Sequence, residues 1–421
     1  MSAPLKSAEL REWRRNLYTM WVAQTLSIVG FSFTSPFIPL YLRDLGVTDT
    51  RDVIWWAGVM NTGSAIIMAL SAPVWGAVAD RYGRKPMVLR AMFGGALVIG
   101  LMGLAPNVYV LLALRLIQGS LTGTVTASTT LVAAITPRDR VAFSLGLMQT
   151  AVFSGNSFGP LVGGLIADAF GYRFSFGITG VLLGLAGVLV LILVRERFER
   201  PAAGATPAPL FKGMFAPLSN PLLRALVVAL VLLSAGNMAI APLLPIFVAQ
   251  LAGGTGDIAS GGNTAALAGA TIGIGGLTSA VAAVAIGRIA DRAGHRRILV
   301  ACSFVAGLLY LPQALVQHPW QLIALRGIHG IAMGGMMPTA NALIADMTEP
   351  ETRGAVYGLT SAASSFGNAV GPLGGATIGA QFGLRAVFPV TSIVLLFISA
   401  WVARTLGRAP VPAGAGGYRT A

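Results

Sequence analysis

Two stretches of this chain spell the same pattern half a chain apart, and that repetition restricts the fold more than any other feature. Gly76-Ala-Val-Ala-Asp80-Arg81-Tyr-Gly83-Arg84-Lys85 recurs as Gly287-Arg-Ile-Ala-Asp291-Arg292-Ala-Gly294-His295-Arg296-Arg297, 211 residues later. Leu114-Arg115-Leu-Ile-Gln118-Gly119 realigns with Leu325-Arg326-Gly-Ile-His329-Gly330 at the same offset, and Gly155, Gly159, Pro160 and Gly163 with Gly367, Gly371, Pro372 and Gly375 one residue beyond it. The period is far longer than a solenoid unit. Each half of the 421 residues is therefore a whole folding module, in tandem with a similar one.

The solvent for such a pair is lipid. Only 10% of the residues are charged and 55% are hydrophobic, whereas a water-soluble surface takes roughly 25% charged residues. Apolar windows of the ~20 residues that cross a bilayer fall at 17–41, 54–79, 87–105, 108–135, 141–167, 174–194, 221–249, 264–290, 298–316, 320–345, 355–380 and 386–406. The expectation is an all-α membrane protein with twelve transmembrane helices in two pseudo-symmetric six-helix bundles. The division is 1–194 and 220–408, a cytoplasmic linker at 195–219, and a disordered tail at 409–421.

The net charge of +14 invites a nucleic-acid reading, which the placement of the charges opposes. If the N-terminus is cytoplasmic and the spans alternate, only Arg43, Arg51, Arg173 and Arg385 fall outside and only Arg115 and Arg326 within spans. The remaining Lys and Arg gather on one side, as the positive-inside rule describes. The expected setting is the bacterial inner membrane, with both termini cytoplasmic and no nucleic-acid partner. The single cysteine, Cys302, lies within a span and supplies neither a disulfide framework nor a metal site. No phosphate loop or paired-histidine zinc motif occurs, so no cofactor, metal or catalytic residue is expected, and the chain reads as no enzyme.

Glycine recurs every fourth residue at Gly155, Gly159 and Gly163 and again at Gly367, Gly371, Gly375 and Gly379. On a helix this spacing makes a stripe on which a second backbone can lie close in lipid. Pro160 and Pro372 remove a backbone hydrogen bond within the stripe and are expected to kink it.

These motifs together resemble the major facilitator superfamily over nearly the whole chain. The Gly76–Lys85 stretch is similar to that family's signature loop between spans 2 and 3, and Gly287–Arg297 to its copy between spans 8 and 9. Arg115 with Gly119 resembles the span-4 signature, and Gly155–Gly164 the span-5 motif of drug:proton antiporters. Trp13-Arg-Arg-Asn16, Pro36-Phe-Ile-Pro39-Leu-Tyr-Leu and Ser71-Ala-Pro73-Val-Trp75-Gly76 resemble the MdtG-like multidrug-resistance branch. The resemblance implies that Asp80, Arg81, Gly83, Arg84, Asp291 and Arg292 form a conformational latch, with topology anchoring as the simpler reading. It also implies an antiporter motif at Gly155, Gly159, Pro160, Gly163, Gly371 and Pro372, and a proton-transfer role for Arg115.

Arg115 sits about seven residues into a span, where a charge facing lipid costs several kcal/mol, so it faces protein or a wet cavity. His329 takes the repeat position of Gln118 in a span expected to line the cavity, where an imidazole can carry a proton or serve only in packing. Asp346 is among the acids nearest a span interior. Arg115, His329 and Asp346 are thus the proton-coupling candidates. Many drug antiporters carry a carboxylate midway through span 1, and this chain has none between Trp21 and Pro36.

Substrate contacts are expected from Gln24, Phe31, Asn61, Gln118, Asn237, Met238 and Phe366, an adaptable and mostly apolar set. The function expected is export of amphipathic drug-like small molecules by alternating access, in exchange for protons, by a monomer in the lipid bilayer. The alternative is uptake or facilitated diffusion of a small metabolite, a sugar or organic anion, without proton antiport.

Overall fold

The computed structural model describes residues 7–137, 140–196, 198, 219, 221–253, 263–346, 348 and 353–405. The expected linker lies mostly, and the expected tail wholly, outside these residues. Among them the chain is helical, in the order α1 (Ser7–Thr34), α2 (Ile38–Asp44), α3 (Thr50–Tyr82), α4 (Lys85–Met102), α5 (Val108–Leu121), α6 (Thr124–Ile135), α7 (Val141–Phe170) and α8 (Tyr172–Leu193). The second half follows as α9 (Pro221–Ile240), α10 (Leu244–Gly253), α11 (Thr264–Ala293), α12 (His295–Leu315), α13 (Pro319–Asp346), α14 (Arg353–Phe382) and α15 (Leu384–Thr405).

Three pairs, α1–α2, α5–α6 and α9–α10, are single rods interrupted by a few residues, which leaves twelve rods along the chain. Eight of the rods are long and apolar enough to cross a bilayer, and the bent α1–α2 pair makes nine. The others, α7, α13 and α14, have 30, 28 and 30 residues. At about 1.5 Å per residue they exceed the thickness of a bilayer core, and they carry much of the chain's Gly, Ser and Asn.

The sequence periodicity did not show the interruptions, and each has a local cause. α1 and α9 end at Thr34 and Ile240, shortly before Pro36 and Pro242. A proline disfavours helix in the residue before it, and both sites carry the same Pro-x-x-Pro pattern, Pro36/Pro39 and Pro242/Pro245. The α5–α6 break has another origin: Gly123 sits at φ +112°, a left-handed conformation that a side chain would strain. Its freed carbonyls are met by neighbours. Trp75 Nε1 donates to Ser120 O at 2.7 Å, and Arg90, lying 3.9 Å over the Trp75 ring, donates to Thr122 O. By contrast the helix runs without interruption through Pro160 and Pro372.

Packing repeats with the sequence. In the first half α1 lies on α7 and α8, α4 on α8, and α3 on α5; in the second, α9 lies on α14 and α15, α12 on α15, and α11 on α13. Two large crossings join the halves, α7 with α11 and α3 with α14, and they are images of each other under the repeat; a small contact of α2 with α10 adds to them. Large apolar side chains such as Leu70, Leu97, Leu104, Ile192 and Leu315 stand on the outside. In water they would be a liability; against lipid they are the expected surface.

Candidate functional site

The glycine stripes divide their work between two partners. Side chains at Gly155, Gly159 and Gly163 would run into Ile28, Ser32 and Phe33, so this stripe seats α7 on α1. Gly367, Gly371 and Gly375 seat α14 on α9 in the same way, against Val231, Ala235 and Ala239. Gly164 faces elsewhere, onto the Ala265 backbone of α11. The crossing continues where Gly269 of α11 meets the carbonyl of Pro160. Its repeat image is Gly58 of α3, whose Cβ would lie 3.1 Å from the carbonyl of Pro372. Gly58 and Gly269 are again 211 residues apart, a signal in the sequence that passes unnoticed without the motif residues around it.

These close contacts occupy only one end of the bundle. Asp168, in the last turn of α7, closes that end: its two carboxylate oxygens accept from Ala265 N at 3.0 Å and Ala266 N at 2.7 Å. A carboxylate on the exposed N–H groups at a helix start is favoured by both hydrogen bonding and the helix dipole. Toward the other end, which carries the Arg-rich loops, the glycines of the same four helices meet no such neighbour. Gly76, Gly146, Gly287 and Gly358 have open space where a Cβ would sit, and Val74, Val281 and Val284 are exposed.

The signature loops lie at this open end. Asp80 and Arg81 are exposed, and among the described residues Asp80 has no hydrogen bond or ion pair. Asp291, 73% exposed, meets His295 of its own helix turn at 3.2 Å, its one ion pair among the described residues. Among the described residues, no hydrogen bond or ion pair joins Asp80 or Asp291 to the opposite half. Gly83, at φ +98°, turns the chain under the Glu196 carboxylate. Glu196 accepts from Arg84 N at 2.9 Å and Lys85 N at 2.7 Å, capping α4. Lys85 Nζ in turn donates to Leu191 O and Val194 O at the end of α8. Arg296, its repeat image, donates to Ala403 O at the end of α15. Glu196 was missed from sequence because nothing marks a linker carboxylate as a cap. Glu196→Ala should cost about 1–2 kcal/mol, the usual value of a lost cap, read as a lower melting temperature of the purified protein.

Arg115 is buried, as its place within a span required. Its guanidinium donates to Gln118 Oε1 at 2.6 Å and to Asn61 Oδ1 of α3 at 3.3 Å, so three expected site residues form one cluster. The second half differs. His329, which the sequence left as a proton carrier or a packing residue, is 2% exposed and packs at a tilt against Tyr310 of α12, with 4.4 Å between ring centroids. Tyr310 packs on Phe388 of α15, and the Arg326 guanidinium lies 5.9 Å from the Tyr310 ring. An imidazole packed on a buried tyrosine ring gains more there than at a wet wall, and His329 lies in the interior of the second half. Asp346 is the last residue of α13, and its side chain lies outside the described ones.

The other expected cavity residues separate by surroundings. Phe31 packs toward Gly95 of α4, and Met238 against Gly371 of α14, so both serve helix packing. Asn237 is half-buried, and Phe366 is exposed. Gln24 is 1% exposed, yet neither its amide nitrogen nor its amide oxygen has a partner among the described residues. Among the described residues no cluster of His, Cys, Asp and Glu could hold a metal.

Among the described residues, twelve rods in two repeated sets, joined by two symmetry-related crossings, make the architecture of a membrane transporter. The chain belongs to the major facilitator superfamily, whose profile matches residues 20–312 and 262–418. It is 36% identical over 396 residues to the multidrug resistance protein MdtG of Escherichia fergusonii, covering 94% of this chain and 95% of that protein. To MdtG of Rahnella sp. it is 37% identical over 399 residues, covering 94% and 95%. Among solved structures, a bacterial homologue of the human lysosomal transporter Spinster, inward-facing and unoccupied, superposes with a TM-score of 0.75 at 15% identity, covering 95% of this chain and 97% of that one. The human organic anion transporter MFSD10 gives 0.68 at 18% identity, covering 93% and 99%. At these identities the two structures share the fold.

Proposed function

We propose that the protein exports amphipathic drug-like molecules across the bacterial inner membrane by alternating access, in exchange for protons. The observation that carries the mechanism is the asymmetry of the two crossings, closed at the Asp168 end and open at the Asp80 end. Such an asymmetry suits two rigid bundles, 1–194 and 220–408, that rock about a central site. The concentration of Lys and Arg supports placing the open end and both termini in the cytoplasm, which makes this the inward-facing state. The MdtG relatives, named for multidrug resistance, support the substrate class. Asp80 and Asp291 are then free to engage the opposite half when the inner side closes. Within the first bundle, Gln24 and the Arg115–Gln118–Asn61 cluster are the polar groups placed to meet a substrate or relay a proton. The protein is expected to act as a monomer.

The test is growth of an efflux-deficient host on a drug panel, with expression of each variant checked. Asp80→Asn and Arg115→Ala should each lose most of the resistance the wild type confers. Wild-type resistance in both at equal expression would sink the reading. Proton exchange is tested in everted vesicles, where substrate should dissipate an imposed pH gradient.

One feature favours a second reading, facilitated movement of a small metabolite without protons. Every Asp and Glu lies at or near a span end, and span 1 has no midplane acid. Counterflow in the absence of any ion gradient, undiminished when the pH gradient is imposed, would select it.

A further inference from the structure

Comparing the two halves position by position exposes one place where they part company on the outer wall. In the first half, the Phe93 ring, 37% exposed, folds over Gly187 between α4 and α8, where a Cβ would come within 2.9 Å of it. In the second half the image of Gly187 is Ser399, whose hydroxyl donates to Val300 O. The image of Phe93 is Phe304, which stands 51% exposed. The result is a cavity of about 350 Å³ between α12 and α15, opening outward at their Arg-rich ends.

The chemistry of this cleft is two-sided. Arg296 and Arg297 stand at its mouth, and Val300, Ala301 and Phe304 continue it along α12 toward the membrane interior. Arg296 commits one nitrogen to Ala403 O, while its Nε is buried with no acceptor among the described residues. Arg292 and Arg404, close in sequence to the lining residues Arg296 and Ala403, are exposed and add positive charge, with Asp291 the neighbouring carboxylate in sequence. A buried guanidinium nitrogen without an acceptor is costly, and a phosphate oxygen satisfies it with a charge-assisted bond. A free anion would leave the apolar length of the cleft unfilled.

We infer that the α12–α15 cleft binds one anionic phospholipid, its phosphate held by Arg296 and Arg297 and an acyl chain laid along Val300, Ala301 and Phe304. In the first half the Phe93 ring lies over the matching glycine, Gly187, and Lys85 and Pro86 stand where Arg296 and Arg297 do. Basic clefts between spanning helices suit anionic headgroups on general electrostatic grounds; the apolar extension makes this one specific for a lipid.

Native mass spectrometry of the detergent-purified full chain tests this, with phosphatidylglycerol or phosphatidylethanolamine added at equal concentration. The expected result is one retained phosphatidylglycerol per chain, at least fivefold over phosphatidylethanolamine. Arg297→Gln, which leaves the Arg296 cap on α15 intact, should lower retention severalfold without changing the melting temperature. Ala301→Trp, which fills the cleft and keeps both arginines, should lower it as well. Retention equal for the two lipids, or unchanged in Ala301→Trp, overturns the site. Displacement of the lipid by millimolar glycerol phosphate or inorganic phosphate overturns it in favour of a free-anion site.

Discussion

Gly269→Leu should reduce drug transport in proteoliposomes at least tenfold, with the protein still folded and inserted. The added side chain must occupy the space where α11 crosses the Pro160 carbonyl, which is backbone on an uninterrupted helix. Overpacking at a site that can relax costs about 1–3 kcal/mol; here relaxation means moving one half away from the other. The closed end would then fail to close. Because about 1.4 kcal/mol is a tenfold change in an equilibrium, the middle of that range already shifts the balance more than tenfold against the closed arrangement. Gly58→Leu, at the image crossing of α3 and α14, should act the same way. Gly146→Ala on the open side meets no atom within 4 Å and should transport normally. Wild-type transport by both leucine variants would show that the crossings do not govern the cycle.

The second large effect is expected at Asp168. Asp168→Ala removes both acceptors from the start of α11, and hydrogen bonds to a charged group contribute about 1.5–3 kcal/mol each. The conformational equilibrium should move at least tenfold toward the outward-open state, while Asp168→Asn, which keeps one acceptor oxygen, should fall between. The chain's single cysteine, Cys302, is buried, so a Cys302→Ser background leaves no native thiol. A cysteine placed at Leu161, on the α7–α11 crossing, then reports access from outside through its labelling rate. The rate should rise in the order wild type, Asn, Ala. An unchanged rate in Asp168→Ala would remove Asp168 from the gate.

How far the site was legible differs between the halves. In the first, Arg115, Gln118 and Asn61 were singled out separately, and the structure joins them by two hydrogen bonds. A charged group buried in a span must find polar company, and few polar residues are near enough, so the sequence narrows the choice. In the second, the same reasoning left His329 either a proton carrier or a packing residue, and the structure sets it against Tyr310, which itself packs on Phe388. Those rings come from α12 and α15, and no spacing along α13 announces them. Asp168 shows the same gap. Its partners are backbone N–H groups 97 and 98 residues away, which carry no side-chain signature at all.

By itself the sequence determined the duplication, the membrane setting and the helical rods, because these follow from period, hydropathy and charge placement, all of which are local or additive. It also marked the helix faces that carry glycine. Only the tertiary structure decided which partner each glycine meets, that Gly164 and Gly269 bind the halves while Gly159 binds within one, and which end is shut. Those outcomes depend on backbone carbonyls and N–H groups brought together from distant spans. Every residue presents the same backbone groups, so their pairing becomes visible only when the helices are in place.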